Sequence, residues 1–133
     1  MAIFKILLLI GALLIPAAFP AFLEGQDTVV LTKSANGLEV VLPVGTFLEV
    51  RLEEAGATGY TWQVIDLDVA HLELTESRTT PTGQPGMVGA PVQKTWRFKA
   101  VETGQTELKM YYYRIWEGLD KGVEKFQVRI TIL

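Results

Sequence analysis

The sequence contains no cysteine, one histidine and only two serines among its 133 residues. The absence of cysteine excludes disulfides, thiolate metal sites, iron–sulfur clusters and a cysteine nucleophile. With His71, Ser34 and Ser77 as the whole supply of these residue types, most hydrolase active sites cannot be assembled. We therefore expect a binding domain rather than an enzyme, with no catalytic residues, no cofactor and no metal site.

Neither sign of charge is in large excess. Twelve basic and fifteen acidic side chains give a net charge of −3 at neutral pH. Surfaces that bind nucleic acid usually carry a basic excess, so this balance argues against a nucleic-acid partner. The length allows one domain and little more.

The longest apolar run lies near the N-terminus. Lys5 precedes the ten-residue run 6–15, and Pro16 and Pro20 follow it, with small alanines around them. A run of this length matches the hydrophobic region of a signal peptide and is short for a membrane span. We predict a signal peptide or N-terminal anchor over residues 1–26 and an exported protein, periplasmic or secreted. In the alternative, the segment stays uncleaved and is the protein's one membrane contact.

Beyond residue 27 the sequence alternates between apolar and polar residues, which is typical of strands with one buried face. The apolar positions of the clearest stretches are Leu48, Val50 and Leu52; Trp62 and Val64; Trp96, Phe98 and Ala100; Leu108, Met110 and Tyr112; and Phe126, Val128, Ile130 and Ile132. Seven or eight short strands over residues 27–133 predict an all-β domain, an immunoglobulin-like antiparallel β-sandwich. Asn36–Gly37, between residues 29–32 and 38–42, predicts a hairpin.

Three segments interrupt the alternation: residues 54–59, 79–91 and 114–122. The second has thirteen residues with three prolines and three glycines, and loops of that length are usually functional or disordered. Alternate strand connections of a sandwich emerge at the same end, so we expect the three segments to lie together. Trp116 in the third segment is open to two interpretations, an exposed binding anchor or a cap folded over the sandwich end.

Several polar residues resemble parts of known sites without completing one. His71 has no acid and nucleophile to join, which favours a plain surface or edge residue. Asp66 and Asp68 lack the glycine and the closing glutamate of a calcium loop. For Glu53–Glu54, a solvated strand end is favoured over a catalytic carboxylate pair.

The three segments resemble the motifs of the chagasin family, and the resemblance covers nearly all of residues 27–133. The family's first motif, Asn-Pro-Thr-Thr-Gly-Tyr/Phe followed closely by Trp, is similar to Ala55–Trp62, which keeps the last threonine, the glycine, the tyrosine and the tryptophan. The Gly-x-Gly-Gly loop is similar to Gly89–Val92, which keeps the first glycine. The Arg-Pro-Trp motif is similar to Arg114–Glu117, and Gly104–Leu108 also fits the family pattern.

Members of the family are exported inhibitors of papain-like cysteine proteases with an immunoglobulin-like fold. The resemblance implies a reversible, non-covalent inhibitor whose partner is a papain-like cysteine protease and whose three loops block the active-site cleft without being cut. The protease-binding residues that it implies are Ala57, Thr58, Gly59, Tyr60, Gly89, Ala90, Pro91, Arg114, Trp116 and Glu117. We also expect the inhibitor to be a monomer.

The sequence departs from the family pattern in two of the loops. Ala55, Gly56 and Ala57 stand where the first motif has asparagine, proline and threonine, and Pro91 and Val92 replace two glycines of the second. Proline in place of Gly56 restricts a free loop, so restoring the first motif predicts tighter binding through a lower ordering cost. The departures leave an alternative function open: a non-inhibitory envelope or extracellular module that binds another protein or a glycan through the same loops.

Overall fold

The computed structural model describes residues 5–7, 27–83 and 89–133. Within these ranges the chain forms nine β-strands and three short 3₁₀-helices. The strands are β1 (Lys5–Leu7), β2 (Thr28–Leu31), β3 (Glu39–Leu42), β4 (Phe47–Glu54), β5 (Thr61–Ile65), β6 (Leu72–Pro81), β7 (Val92–Ala100), β8 (Gly104–Tyr113) and β9 (Glu124–Ile132). The 3₁₀-helices are Lys33–Ala35, Ile115–Glu117 and Leu119–Lys121.

The strands form two sheets that pack face to face. One sheet has the order β1–β3–β9–β8–β5 and the other β2–β4–β7–β6. The pairs β4–β7, β5–β8, β6–β7 and β8–β9 are antiparallel, whereas β1–β3, β2–β4 and β3–β9 are parallel. The immunoglobulin-like β-sandwich predicted from the sequence is confirmed, with parallel pairing on one side of each sheet.

One continuous apolar core lies between the sheets, and the alternating positions predicted from the sequence form it. On β4, Leu48, Val50 and Leu52 are buried; Leu48 pairs with Phe98 of β7 and Val50 with Trp96. The other buried apolar side chains are Val29, Leu31, Ala35, Val40, Leu42, Trp62, Leu72, Ala100, Leu108, Met110, Tyr112, Phe126, Val128, Ile130 and Ile132, with Val64 half-buried against them. Burial of one such large side chain contributes about 1.5–3 kcal/mol, so packing can hold the domain together without disulfides.

The hairpin predicted at Asn36–Gly37 is wrong. β2 pairs with β4 and β3 pairs with β9, so the two flanking strands belong to different sheets. Asn36 has φ −56° and ψ 129° and Gly37 has φ 86°, a type II turn closed by the Leu38 amide on the Ala35 carbonyl at 3.0 Å. Two-residue hairpins favour type I′ turns, with positive φ at both central positions. The turn therefore carries the chain from one sheet to the other.

Residues 1–26, predicted as a signal peptide or anchor, lie outside the described residues except for β1, which pairs with β3. Within residues 5–7, 27–83 and 89–133, no helix is long and apolar enough to cross a membrane. The signal peptide and its anchor alternative stay predictions.

One end of the sandwich, which we call the closed end, is formed by residues 43–46, 66–71 and 101–103, the connections β3–β4, β5–β6 and β7–β8. There the Asp68 carboxylate accepts a hydrogen bond from the Thr106 hydroxyl of β8 at 2.9 Å and lies 2.8 Å from Nδ1 of His71.

These contacts at the closed end lower the pKa of the Asp68 carboxyl group. The hydrogen bond from Thr106, and after it the bond to His71, hold the pKa of Asp68 below its usual value. His71, expected as a plain surface or edge residue, directly precedes the edge strand β6 and pairs with Asp68. Its part in the fold is to help close the β5–β6 connection.

Candidate functional site

Three other strand connections emerge at the opposite end of the sandwich, which we call the loop end. The first loop, residues 55–60, joins β4 to β5; the second, residues 82–91, joins β6 to β7; and the third, residues 114–123, joins β8 to β9. β4 includes Glu54 and β5 begins at Thr61, so the first loop is shifted by one residue from the predicted segment. β6 extends to Pro81, so the second loop is shorter than predicted. Residues 84–88 of the second loop lie outside the described residues.

Two buried side chains hold the base of the first loop. The Glu54 carboxylate, only 6% exposed, accepts the Trp62 amide at 2.8 Å. The Tyr112 hydroxyl accepts the Ala55 amide at 3.0 Å. Glu54 is therefore a buried acceptor, and the prediction of a solvated strand end is wrong for it, because the chain bends back at this point and presents an amide that needs a partner.

The tip of the first loop turns through two residues with left-handed backbone. Ala57 has φ 62° and Gly59 has φ 84°. Between them, the Thr58 hydroxyl donates to the Ala55 carbonyl at 3.2 Å and accepts the Tyr60 amide at 3.3 Å. Left-handed backbone is routine for glycine but costs an alanine about 1–2 kcal/mol. The first loop thus holds local strain at Ala57.

The first loop touches the backbone of the second at Gly56. A Cβ atom at Gly56 would lie 2.3 Å from the Ala90 carbonyl oxygen and 2.8 Å from the carbonyl carbon of Gly89. The second loop is itself closed by Thr82, whose hydroxyl donates to the Pro91 carbonyl at 2.7 Å. A proline at Gly56 does not fit against these backbones without a shift, so the expectation that it would tighten binding loses its structural basis.

Arg114 joins the third loop to the first. Its Nε donates to the Thr58 carbonyl at 2.9 Å, and its guanidinium carbon lies 4.4 Å from the centroid of the Tyr60 ring. Its Nη1 also donates to the Glu117 carboxylate at 3.2 Å within the third loop. Arg114 therefore combines a hydrogen bond, a cation–π contact and an ion pair, which set the two loops relative to each other.

Trp116 projects from the third loop into solvent. Its exposed fraction is 72%, and that of the neighbouring Ile115 is 63%. A Cβ atom at Gly59 would lie 2.3 Å from Cη2 of Trp116, so the edge of the indole ring lies against the glycine of the first loop. The interpretation of Trp116 as a cap over the sandwich end is wrong; the ring contacts a neighbouring loop and leaves most of its surface open.

The residues proposed from the sequence resemblance are therefore brought together at the loop end. Direct contacts join Thr58, Gly59 and Tyr60 to Arg114 and Trp116. The remaining proposed residues, Ala57, Gly89, Ala90, Pro91 and Glu117, lie in the same three loops.

Four residues that support the loops were not predicted from the sequence: Glu54, Gly56, Thr82 and Tyr112. For Tyr112 a signal was present, because a tyrosine on the apolar face of a strand buries a hydroxyl that needs a partner. In the described ranges, no group of three histidine, aspartate or glutamate side chains could hold a metal ion. Instead, the loop end presents an aromatic side chain, an arginine and turned backbone, which are typical of protein–protein contact.

Comparisons with known proteins agree with this architecture. The profile described as Chagasin family peptidase inhibitor I42 matches residues 41–130. The cysteine protease inhibitor EhICP2 from Entamoeba histolytica superposes with a TM-score of 0.73 and 21% identity, covering 81% of this chain and 97% of that one. Leishmania mexicana ICP gives a TM-score of 0.54 and 23% identity, covering 86% and 96%. PbICP-C, in a structure with falcipain-2, gives 0.54 and 21%, covering 81% and 92%.

None of the curated proteins matches the sequence. At these identities the solved structures establish the fold, and the profile carries the family assignment because it spans more than half of the chain and all three loops. That family consists of inhibitors, not enzymes. The chain belongs to the chagasin family of peptidase inhibitors.

Proposed function

We propose that the protein is a reversible, non-covalent inhibitor of papain-like cysteine proteases that blocks the active-site cleft with the three loops of its loop end. The observation that carries this proposal is the coupling of the loops around Arg114, which bonds Thr58 and stacks on Tyr60 while Trp116 beside it is 72% exposed. An exposed tryptophan on a braced loop is a typical binding anchor. The inhibitors EhICP2 and PbICP-C, which share the fold, support a cysteine protease as the partner.

The geometry of the first loop also suits an inhibitor that is not cut. Positive φ values at Ala57 and Gly59 turn its backbone back on itself, so it offers no extended segment to a cleft. The hydrogen bonds of Thr58 and Arg114 hold that shape before any partner is bound. A loop ordered in advance has less conformational entropy to lose on binding.

Titration of several papain-like proteases with the purified protein tests the proposal. We expect stoichiometric, competitive and reversible inhibition of at least one enzyme, with the inhibitor recovered uncut by mass spectrometry. Absence of inhibition at micromolar concentration across the panel would contradict it. Binding to an active-site-blocked protease, compared with the free enzyme, shows whether the loops occupy the cleft or merely a neighbouring surface.

We further propose that the protein acts outside the cytoplasm, after export directed by residues 1–26. The support is the apolar run 6–15 with Lys5 before it and prolines after it. Cell fractionation together with N-terminal sequencing of the mature protein tests this. A chain beginning near residue 27 in the exported fraction is expected; an intact N-terminus in the membrane fraction would establish the anchored alternative.

A further inference from the structure

We propose that Tyr112 is a positioning residue for the loop end: its hydroxyl holds the first loop in the orientation in which it and the third loop can meet a protease together. This inference rests on the proposed function, because it concerns inhibition by the same loops. It adds a residue that lies in a strand, beneath the loops and outside the motifs that carry the family resemblance.

Tyr112 stands at the centre of a stack that leads from the core to the loop end. It is 8% exposed, and its ring centroid lies 5.0 Å from that of Trp62 and 5.5 Å from that of Tyr60. The Arg114 guanidinium in turn lies 4.4 Å from the Tyr60 centroid. We call Trp62, Tyr112, Tyr60 and Arg114 the aromatic column. Its members come from β5, β8, the first loop and the third loop, so it spans the elements that must be aligned.

Tyr112 contacts both loops directly. Its hydroxyl accepts the Ala55 amide of the first loop at 3.0 Å, and its backbone carbonyl accepts the Val123 amide, the last residue of the third loop, at 2.9 Å. The backbone contact forms with any residue at this position, whereas the hydroxyl contact needs a tyrosine. The hydroxyl is therefore the part of the residue that a substitution can remove on its own.

Residues 55–58 of the first loop depend on such hydrogen bonds because their own side chains provide little packing. Ala55 and Ala57 are exposed, and Gly56 has no side chain. Three hydrogen-bonding groups hold these residues: the Tyr112 hydroxyl at their start, the Thr58 hydroxyl within them and the Arg114 guanidinium at the tip. Removing one of three fixed points lets the free loop sample more conformations, and that entropy is lost again on binding.

Tyr112→Phe isolates this effect, and Tyr111→Phe is the matched control. Tyr111 is the preceding residue of the same strand, and its hydroxyl makes no hydrogen bond to any residue within the described ranges. We expect Tyr112→Phe to raise the inhibition constant roughly two- to twelve-fold, the equivalent of one hydrogen bond. Tyr111→Phe should leave it unchanged. Equal inhibition constants for the two variants would overturn the inference while the proposed function stands.

Hydrogen exchange on the free protein separates positioning from general stability and needs no protease. Tyr112→Phe should speed exchange at the Ala55 amide and through residues 57–60, with exchange in β9 unchanged. Unchanged exchange in the first loop would overturn the inference. If no protease is inhibited at all, the proposed function falls, and the exchange result still decides whether Tyr112 positions the loop.

A double-mutant cycle supplies the last test. Ala57→Asp is compatible with left-handed backbone and adds a charge at the loop tip, and Ala57→Asn is its neutral control. If Tyr112 acts through the first loop, Tyr112→Phe should have a smaller effect once Ala57→Asp has weakened the contribution of that loop. Fully additive effects would mean that Tyr112 acts elsewhere, which contradicts the inference.

Discussion

Among the residues that the structure describes, each end of the sandwich contains one non-glycine residue with a positive φ, Ala57 at 62° in the loop end and Asp66 at 49° in the closed end. Aspartate is several-fold enriched in left-handed backbone, whereas alanine has no polar side chain that could compensate. At the closed end, the Asp68 carboxylate accepts from Thr106 and pairs with His71. The backbone conformation with the higher energetic cost, that of Ala57, therefore lies where we propose that a partner binds.

Exposed apolar side chains occur at both ends, so exposure alone does not mark the site. Val69 of the closed end is 74% exposed and stands alone in its connection, whereas the exposed Ile115 and Trp116 are adjacent, and Trp116 contacts Gly59 of another loop. Isolated exposed apolar residues are common on protein surfaces. An exposed apolar side chain that contacts a loop with strained backbone therefore distinguishes the loop end from the closed end.

Trp116→Ala should have the largest effect on binding. We expect inhibition to weaken by about 2–4 kcal/mol, thirty-fold or more, since the exposed ring is the proposed binding anchor. The melting temperature should hardly change, because 72% of the side chain is already exposed in the free protein. Val69→Ala at the closed end is the control, and it should change neither quantity. A large fall in melting temperature with inhibition per folded molecule intact would remove Trp116 from the site.

Gly56→Ala tests the close approach of the first and second loops. The added methyl group would lie 2.3 Å from the Ala90 carbonyl oxygen, so one loop must move. We expect weaker inhibition by about 1–2 kcal/mol, as for a small overpacking substitution. Gly45→Ala at the closed end is the control. Gly45 has φ 92° and open space around it, so the substitution should strain the backbone and lower stability without changing inhibition per folded molecule. Tighter inhibition by Gly56→Ala would contradict this and would support the expectation that a proline at position 56 tightens binding.

Asp68→Asn should affect the closed end alone, and its effect should depend on pH. Because the folded pKa of Asp68 is lowered by Thr106 and His71, its stabilisation is present above the usual aspartate pKa of about 3.9 and is lost as the pH falls through the lower folded pKa.

Urea unfolding of the parent and of Asp68→Asn, measured from neutral to acid pH, checks this expectation. The parent should lose stability towards acid pH, and the variant should show a shallower slope there. Asp66→Asn controls for loss of a carboxylate in the same connection. Identical slopes for Asp68→Asn and the parent would argue against the proposed contribution, and inhibition per folded molecule should stay the same throughout.

Ala57→Gly should stabilise the protein slightly. Glycine relieves the positive φ of 62°, and we expect a gain of about 0.5–1 kcal/mol in the free energy of unfolding. Asp66→Gly should gain less, because aspartate tolerates its φ of 49° better. Equal gains at the two positions, measured by urea unfolding, would show that the two ends hold the same strain.

Most of the fold could be predicted from the sequence because alternation with period two is a local signal. Leu48, Val50 and Leu52 on β4, and Phe126 and Val128 on β9, are buried where the alternation predicts. The hairpin at Asn36–Gly37 failed because the dipeptide is compatible with both type I′ and type II turns, and the choice depends on which strands accept β2 and β3.

The candidate site, like the fold, could be predicted from the sequence only in part. The order and spacing of the motifs around Thr58, Gly89 and Trp116 pointed to three loops and to a family. The burial of Glu54 and its bond to the Trp62 amide were not predictable, because a glutamate next to a loop is usually solvated.

By itself, the sequence determined the all-β class, the strand faces, the absence of thiol chemistry and the three motifs in their order. Only the tertiary structure decided that Gly56 lies against Ala90, that Arg114 reaches Thr58, and that Trp116 faces solvent rather than the core. The physical reason is the range of the interactions. Side-chain alternation is set by neighbours along the chain, whereas loop–loop contacts join residues that are distant in sequence and meet only when both sheets have packed.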